Sequence, residues 1–330
     1  MSPTSILCVR FSSLGDILLT LPALELLRKK FPAAKITYLT KESFEPILRN
    51  HRDIDEIILL QKKERLKSLV SRMPRRFDVI VDWHNSFRSR GLRWLLRADQ
   101  KLVFKKPYFK RMLLIRLKID TMKTLPPVFE RYIETLRPLG IESQSTVGHL
   151  HTEEWQSDSE KDLVLFAPGA NWFTKRWPAD KYKELGNILL NKGYNVGFIG
   201  SEAENEVAES IAQNWDQSRF KNFCGKIPLE KLASLISSSK AVVSNDSALL
   251  HMAAISQVPV IGIFTSTTAS LGFTPPGKSF VRVEAPEVAC RPCSHIGLKE
   301  CPKTHFDCAE GISVEKVYEA LLQVLKPAAK

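Results

Sequence analysis

The chain has 330 residues, of which 44% are hydrophobic and 25% are charged; this is the composition of a soluble globular protein with room for two domains. No apolar run approaches the roughly 18 residues of a membrane span, and the first residues lack a signal-peptide pattern, so we expect a cytoplasmic protein. The formal net charge of +12 is uneven. Residues 1–150 hold 29 Lys and Arg against 15 Asp and Glu, whereas residues 151–330 hold 19 against 21.

The first half alternates strand-like and helical segments. An apolar strand at 6–9 leads through a Gly-containing turn into a helix from Ile17 to Lys30, which Pro22 should start or kink. Further strands are predicted at 35–39, 56–60, 78–81 and 101–104. Further helices are predicted at 43–50, 86–97 and 127–136, and the basic segment 107–123 is either a helix or an excursion over a substrate site.

The turn after the first strand carries a carboxylate, Asp16. Ligands of open α/β sheets gather at the carboxyl ends of the strands, so Asp16 lies where a substrate would bind. The alternative is that Asp16 only caps the following helix, and this segment by itself favours the cap.

The second half repeats the alternation after a polar stretch at 142–161, which is the best linker candidate. Strands are predicted at 163–167, 195–199, 241–244 and 258–264, and helices at 179–192, 202–214, 248–256 and 313–325. Two runs of βα units predict two Rossmann-like α/β domains, 1–150 and 151–330, facing a central cleft.

Two loops of the second half have the residues that a phosphate group needs. Loop 168–178 combines Gly169 and Thr174 with the adjacent cations Lys175 and Arg176, which suits a phosphate; a solvated loop before the next helix is an equal alternative. In segment 243–251, the amides of Ser247, Ala248 and Leu249 would point out of a helix N-terminus, where a pyrophosphate binds without a metal.

Three more polar side chains surround these loops. Asp246 would repel a phosphate, so a sugar hydroxyl or a helix N–H is its better partner. Glu206 follows a strand–Gly turn and is suited to ribose hydroxyls, although acidic first turns are also ordinary helix design. His251 lies one turn into its helix, where a lone histidine is more often structural.

Cys290, Cys293, Cys301 and Cys308 form the pattern C-x2-C-x7-C-x6-C. In a cytoplasmic protein such spacing indicates a structural zinc site, or less readily an iron–sulfur site. The alternative is a compact loop of buried reduced thiols.

Residues 62–118 contain 18 basic and 4 acidic residues. Such a surface attracts a polyanion, and its interleaved aromatic and apolar residues suit lipid headgroups or nucleic acid. A merely solvated basic surface is the alternative.

Together these segments resemble glycosyltransferase family 9, the ADP-heptose:lipopolysaccharide heptosyltransferases. The stretch 12–24 (SSLGDILLTLPAL) is similar to the N-terminal signature of the family, and 82–89 is similar to its second motif. Residues 168–170 with 175–178 resemble its nucleotide loop, and 244–247 with His251 resemble its donor motif. The cysteine-rich segment 290–308 is similar to type II members, whereas the Ser12-Ser13 opening is similar to type I. Ala248 stands where the family usually has Gly.

The resemblance implies a GT-B fold, with an acceptor-binding N-terminal domain and a nucleotide-sugar-binding C-terminal domain. It implies inverting, metal-independent transfer of heptose from ADP-L-glycero-D-manno-heptose, with Asp16 as general base. The implied acceptor is the phosphorylated, Kdo-bearing lipid A core of lipopolysaccharide. Implied donor-binding residues are Ser13, Gly15, Gly169, Thr174, Lys175, Arg176, Glu206, Asp246, Ser247, Ala248, Leu249 and His251; acceptor-binding residues are Asn85, Arg88, Arg90 and Arg93.

No catalytic cofactor is expected, and the four cysteines are the candidate ligands of a structural zinc. The expected location is the anionic cytoplasmic face of the inner membrane, and no nucleic-acid partner is expected. Two alternative functions remain. One is a family member that transfers another nucleotide-activated sugar to a different glycan, and the other is a basic nucleic-acid-binding protein.

Overall fold

The computed structural model describes residues 2–142, 146–151, 162–285 and 287–325. The predicted linker at 142–161 therefore lies largely outside the described residues.

The chain divides into two compact units. The first consists of Met1–Pro107 and Pro126–His151, and the second of Tyr108–Leu125 and Thr152–Lys330. This division differs from the sequence-based one in the segment 108–125, which belongs to the second unit. The reason is apolar packing, because Leu114 and Met122 form a buried cluster with Leu271.

The first unit is built on a sheet of five parallel strands in the order β3-β2-β1-β4-β5. The strands are β1 (Ser5–Val9), β2 (Lys35–Lys41), β3 (Glu56–Leu60), β4 (Arg76–Asp82) and β5 (Arg97–Val103). Its helices are α1 (Leu14–Leu18), α2 (Leu21–Lys30), α3 (Glu45–Leu48), α4 (Leu66–Ser71), α5 (Phe87–Leu95) and α7 (Val128–Glu134).

The long helix predicted after the first strand is two helices. The Thr20 hydroxyl donates to the Ile17 carbonyl at 2.6 Å, and Pro22 lies in the first turn of α2. Because proline has no N–H to donate, it is tolerated at the start of a helix and not in its interior. The prediction that Pro22 starts or kinks this helix is confirmed.

The second unit contains six parallel strands in the order β11-β10-β9-β6-β7-β8. They are β6 (Leu163–Ala167), β7 (Asn195–Phe198), β8 (Phe220–Asn222), β9 (Ala241–Asn245), β10 (Val260–Phe264) and β11 (Phe280–Glu284). Its helices are α6 (Tyr108–Met112), α8 (Ala179–Asn191), α9 (Asn205–Ile211), α10 (Leu229–Ser238), α11 (Ala248–Ile255), α12 (Asp307–Glu310) and α13 (Val314–Leu325).

In each sheet the order of the strands reverses at one place. In the first unit the chain adds β2 and β3 on one side of β1 and then returns to place β4 on the other side. In the second unit β6 is flanked in the same way by β7 and β9. A crevice forms at the carboxyl edge where the order reverses, and ligands of open α/β sheets bind there. The predicted two-unit α/β architecture with parallel sheets is confirmed.

None of the helices in the described part of the chain has the length and apolar character to cross a bilayer.

Candidate functional site

The turn after β1 places Asp16 at the reversal point of the first sheet. Ser13 is the N-cap of α1, and the backbone N–H and hydroxyl of Ser13 donate to Asp16 Oδ2 at 3.3 Å and 2.8 Å. Asp16 is therefore not the N-cap that the segment alone favoured. It is the third residue of the helix and closes a capping box with Ser13, a motif that satisfies otherwise unpaired N–H groups at a helix start.

A buried arginine holds the Asp16 carboxylate. Arg10 Nη2 lies 2.7 Å from Asp16 Oδ2, and Arg10 Nη1 donates to the Trp83 carbonyl at 2.7 Å. The Tyr132 hydroxyl donates to Asp16 Oδ1 at 3.3 Å. Burial raises the pKa of Asp16, but the charge of Arg10 and the hydrogen bonds from Ser13 outweigh it, so that the pKa lies below its ordinary value. The side chain is therefore an ionised carboxylate at neutral pH.

Arg10 and Tyr132 were not predicted as site residues. The sequence did carry a local signal for Arg10, since this charged residue directly follows the apolar run 6–9. Tyr132 carried no such signal, because it is 116 positions from Asp16 in the sequence.

The turn after β4 brings a histidine near this carboxylate. Asp82 Oδ1 accepts from the backbone N–H groups of His84 and Asn85 at 3.0 Å and 2.8 Å and so fixes the turn. The His84 ring packs edge-on against Phe11. Burial, with smaller effects from Arg10 and other cations, lowers the pKa of His84 to about 4. Its imidazole is therefore neutral at physiological pH.

The four predicted acceptor-binding residues form two pairs, one bonded to the turn after β4 and one exposed on α5. Arg93 Nε lies 2.9 Å from the fully buried Asp82, and the Asn85 amide donates to the Phe104 carbonyl at 2.9 Å, so both stabilise the turn. Arg88 and Arg90 are exposed on α5. Of the four predicted residues, these two are the exposed cations.

An ion pair lies at the reversal point of the second sheet. Lys175 Nζ is 2.7 Å from Asp246 Oδ2, and their side chains are 15% and 3% exposed. The Thr267 hydroxyl donates to the same oxygen at 2.7 Å. Burial raises the pKa of Asp246, but the Lys175 charge, its hydrogen bond and Thr267 outweigh it and hold the pKa below its usual range. The loops after β6 and β9, predicted separately, thus meet at one site.

Asn245 joins the same two loops through hydrogen bonds. Its amide donates to the Pro168 carbonyl at 2.6 Å, and its carbonyl oxygen accepts from the Trp177 N–H at 3.1 Å. Because Asn245 is buried and bonds both ends of loop 168–178, it fixes the position from which Lys175 reaches Asp246.

The N-terminus of α11 opens beside this pair. Ser247 is the N-cap, and the first amides of a helix have no partner within the helix. Ala248 does not have a positive φ. The backbone at this position therefore accepts the methyl group that replaces the family's Gly. His251 is buried, and its charge contributes to lowering the Asp246 pKa.

The other two predicted polar residues of loop 168–178 are bonded to backbone groups of the second unit. Thr174 is buried, and its hydroxyl oxygen accepts from the Leu298 N–H at 2.9 Å. The Arg176 guanidinium donates twice to the Ala170 carbonyl, at 3.0 Å and 2.9 Å. Lys175 is therefore the cation of this loop whose charge faces a carboxylate.

Glu204, rather than the predicted Glu206, lies against the glycine of this loop. A Cβ on Gly169 would come within 2.6 Å of Glu204 Cδ, whereas Glu206 is exposed on α9. Glu204 also closes a capping box with Ser201, accepting from its hydroxyl at 2.6 Å.

Two partly buried arginines that the sequence had not indicated also lie in this region of the second unit. The Arg282 guanidinium lies 3.6 Å from the centroid of the Phe264 ring and is close enough to Asp246 for that carboxylate to act on its pKa. Arg291 is 3.0 Å from the Glu284 carboxylate and also donates to the Thr267 carbonyl. The positive charge of this site therefore exceeds that of Lys175 alone.

The four cysteines of segment 290–308 are all reduced, and Cys308 is buried. Cys290 Sγ lies 3.9 Å from His305 Nε2, and the pKa of Cys308 is raised to about 12 by burial and by the three other thiols. These cysteines do not form a group of three donor atoms that lie within 4.8 Å of one another. Among the described residues, His51, Asp53 and His149 form such a group.

Comparison with known proteins gives concordant results. A sequence model of glycosyltransferase family 9 (heptosyltransferase) matches residues 66–303. The lipopolysaccharide heptosyltransferase 2 of Salmonella typhimurium is 27% identical over 305 residues, which cover 84% of this chain and 87% of the relative. The lipopolysaccharide heptosyltransferase 1 of Pseudomonas aeruginosa is 25% identical over 87% of this chain and 85% of the relative.

A solved structure has the same fold. The E. coli heptosyltransferase WaaC with ADP superposes with a TM-score of 0.74 at 20% identity, covering 97% of this chain and 99% of that one. The family match spans well over half of the chain and includes loop 168–178, the β9 turn and three of the four cysteines. The chain is therefore a glycosyltransferase and belongs to glycosyltransferase family 9, the heptosyltransferase family.

Proposed function

We propose that this protein transfers a heptose from ADP-L-glycero-D-manno-heptose to the inner core of lipopolysaccharide, with inversion at the anomeric carbon and no requirement for a metal. The observation that carries the proposal is the ionised Asp16 carboxylate at the carboxyl end of β1, held by Arg10 at 2.7 Å. The heptosyltransferase relatives and the ADP complex of a protein with the same fold support the donor and the acceptor.

In the proposed reaction an acceptor hydroxyl attacks the anomeric carbon of the heptose. A C–O bond to the acceptor forms as the C–O bond to the diphosphate breaks, ADP leaves, and the hydroxyl proton passes to Asp16. A carboxylate with a low pKa is a weak base. It is effective when proton transfer accompanies the attack and water is excluded.

The leaving diphosphate gains negative charge during this step. We assign its stabilisation to Lys175 and to the amides at Ser247–Leu249, which are fixed before the reaction begins. This arrangement supplies the positive charge without a metal ion. Asp246 binds a sugar hydroxyl of the donor, and Glu204 takes the ribose role that the sequence had suggested for Glu206, because Glu204 is the one that contacts Gly169.

The exposed cations of α5 are proposed to bind the acceptor, which is anionic and anchored in a membrane. Phe87 and Trp94 on this helix are 91% and 83% exposed, and Arg90 lies over the Phe87 ring. Exposed aromatic rings with adjacent cations suit an anionic lipid surface. We therefore place the enzyme at the cytoplasmic face of the inner membrane.

Vesicle binding tests this placement. We expect the wild type to cosediment with vesicles of anionic phospholipid more than with neutral ones, and F87A/W94A to lose much of that binding because its apolar anchors are gone. V207A removes another exposed apolar side chain, on α9, and is the matched control. Tighter binding to random DNA than to anionic vesicles would favour the nucleic-acid alternative instead.

The four cysteines are proposed to hold a structural zinc ion. Cys290 and Cys293 are hydrogen-bonded, and neighbouring thiols contribute to raising the pKa of Cys293 and of Cys308, so the thiols lie near one another although no three of their sulfur atoms are within 4.8 Å of one another. We expect about one equivalent of zinc per chain to persist at this loop after dialysis and to be lost in C290S/C293S. Equal zinc in the wild type and this variant would contradict the assignment.

A donor panel separates the proposed activity from its alternative within the family. We expect ADP-heptose to support turnover and ADP-glucose or UDP-linked hexoses to support little, with the same acceptor present. A preference for another nucleotide sugar would identify a different transferase of the family and make Ala248 the first residue to test.

A further inference from the structure

A second polar cluster lies in the first unit, apart from the residues assigned to the reaction. It consists of His51 and Asp53, which precede β3, together with His149 from the last described stretch of the unit. The ligand atoms of all three residues lie within 4.8 Å of one another. His51 and Asp53 are buried, at 2% and 4% exposure.

The cluster contains polar atoms that are buried without hydrogen bonds. Within the described chain, Asp53 Oδ2 and both ring nitrogens of His149 have no hydrogen-bond partner. Asp53 Oδ2 and His149 Nε2 are nevertheless only 3.3 Å apart. Buried polar atoms are almost always hydrogen-bonded, so the facing pair Asp53 Oδ2 and His149 Nε2, both unsatisfied, indicates a missing ligand between them.

The spacing matches that of a tetrahedral zinc site. Two ligands bound to zinc at 2.0–2.1 Å in tetrahedral geometry are about 3.3 Å apart, which is the distance from Asp53 Oδ2 to His149 Nε2. Imidazole nitrogens with one carboxylate form a known donor set for zinc, with a fourth position left for water.

The groups around the cluster orient its donors. His51 Nε2 is 3.0 Å from the His149 carbonyl oxygen, and the Asp53 N–H approaches His51 Nδ1 at a longer 3.2 Å. A proton on Nε2 that donates to this carbonyl leaves the Nδ1 lone pair to accept from the Asp53 N–H, a bond that a metal ion on Nδ1 would replace. Metal-bound histidines commonly donate their other N–H to a carbonyl or carboxylate. On His149 the Glu25 carboxylate lies 4.0 Å from Nδ1, an ion-pair distance that is longer than a hydrogen bond.

The backbone around His149 is built for this position. Gly148 has a φ of +73° and lies so close to α2 that a Cβ would be 2.8 Å from the Pro22 nitrogen. The Thr146 hydroxyl donates to Glu25 at 2.6 Å, and the His149 ring stacks on His51 at 4.4 Å. These contacts hold residues 146–149 against the core of the first unit.

We propose that His51, Asp53 and His149 bind a transition-metal ion, with Zn²⁺ as the expected occupant, and that the ion fastens the segment 146–151 to the first unit. The role is structural, and the site is distinct from the cysteine segment 290–308. It rests on neither the proposed reaction nor the cysteine zinc.

Zinc uptake by the full-length protein tests the proposal. Protein stripped with a chelator under reducing conditions is dialysed against Zn²⁺, and the bound metal is measured by atomic spectroscopy. We expect the wild type to bind about one equivalent more than H149Q, because the three-ligand set is broken. H151Q is the matched control, since His151 is exposed in the same segment and lies outside the three-ligand group, and it should bind as much as the wild type.

Two further variants keep the test decisive. D53N replaces the unsatisfied carboxylate by a neutral amide of the same shape, so it should remain folded and also lose one equivalent. E25Q keeps the ligands but weakens their support, and we expect its zinc affinity to fall by about 10- to 100-fold. Equal uptake by the wild type and by folded D53N or H149Q would overturn the proposal, as would an equal loss in H151Q.

Discussion

Asp16→Asn is expected to lower kcat by about 10²–10⁴-fold, the usual contribution of a positioned general base. The amide cannot accept the acceptor proton, but it keeps the shape of the side chain and an oxygen for Ser13. Donor affinity should change little, because the proposed phosphate contacts come from Lys175 and α11. Acceptor-dependent ADP release and equilibrium binding of ADP measure the two quantities separately.

Ser13→Ala is the matched control for this variant. It removes the hydroxyl that donates to Asp16 Oδ2 at 2.8 Å and leaves the Arg10 contact in place. We expect a loss of helix-cap stability of about 1 kcal/mol and a much smaller loss of turnover than in D16N. A D16N enzyme with near-normal kcat would show that Asp16 serves only to close the capping box of α1.

Lys175→Met is expected to lower kcat by about 10²–10³-fold, comparable with the removal of one preorganised donor to developing charge. It should also destabilise the protein by about 3–5 kcal/mol, because Asp246 is 3% exposed and would be left as a buried charge without its cation. Chemical denaturation and steady-state kinetics give the two effects independently.

The double variant K175M/D246N separates stability from catalysis. Neutralising the buried carboxylate should restore most of the lost stability but none of the turnover. Lys192→Ala removes an exposed lysine at the end of α8 and should leave both unchanged. Recovery of turnover together with stability would mean that Lys175 acts only as the structural partner of Asp246.

The sequence predicted those parts of the fold that have a local signal. The strands at 56–60 and 163–167 have the bounds that were predicted, because each is an apolar run bordered by polar or turn residues. β8 was missed, since three residues paired only with β7 are too short for a periodic pattern. α10 and β11 were missed as well, and the segment 108–125 groups with the second unit through a Leu271 contact that is distant in sequence.

In the candidate site, too, the sequence predicted the residues that have a local signal and missed those that depend on distant contacts. Asp16, Lys175 and Asp246 were predicted because each lies in a segment that follows a strand, where α/β sheets bind ligands. Tyr132 and the His51–His149 pair were not found, because their partners are separated by 116 and 98 positions. The sequence also could not predict which cations remain exposed. Arg88 and Arg93 lie on the same helix, but only Arg93 is paired with the buried Asp82.

The most direct test of the proposed activity is the release of ADP from ADP-L-glycero-D-manno-heptose by the purified enzyme in EDTA, with and without a heptose-deficient lipopolysaccharide acceptor. We expect release that depends on the acceptor and persists in EDTA, together with an acceptor that gains one heptose. Folded enzyme that releases no ADP from this donor with this acceptor, or does so only when a divalent metal is restored, would contradict the account.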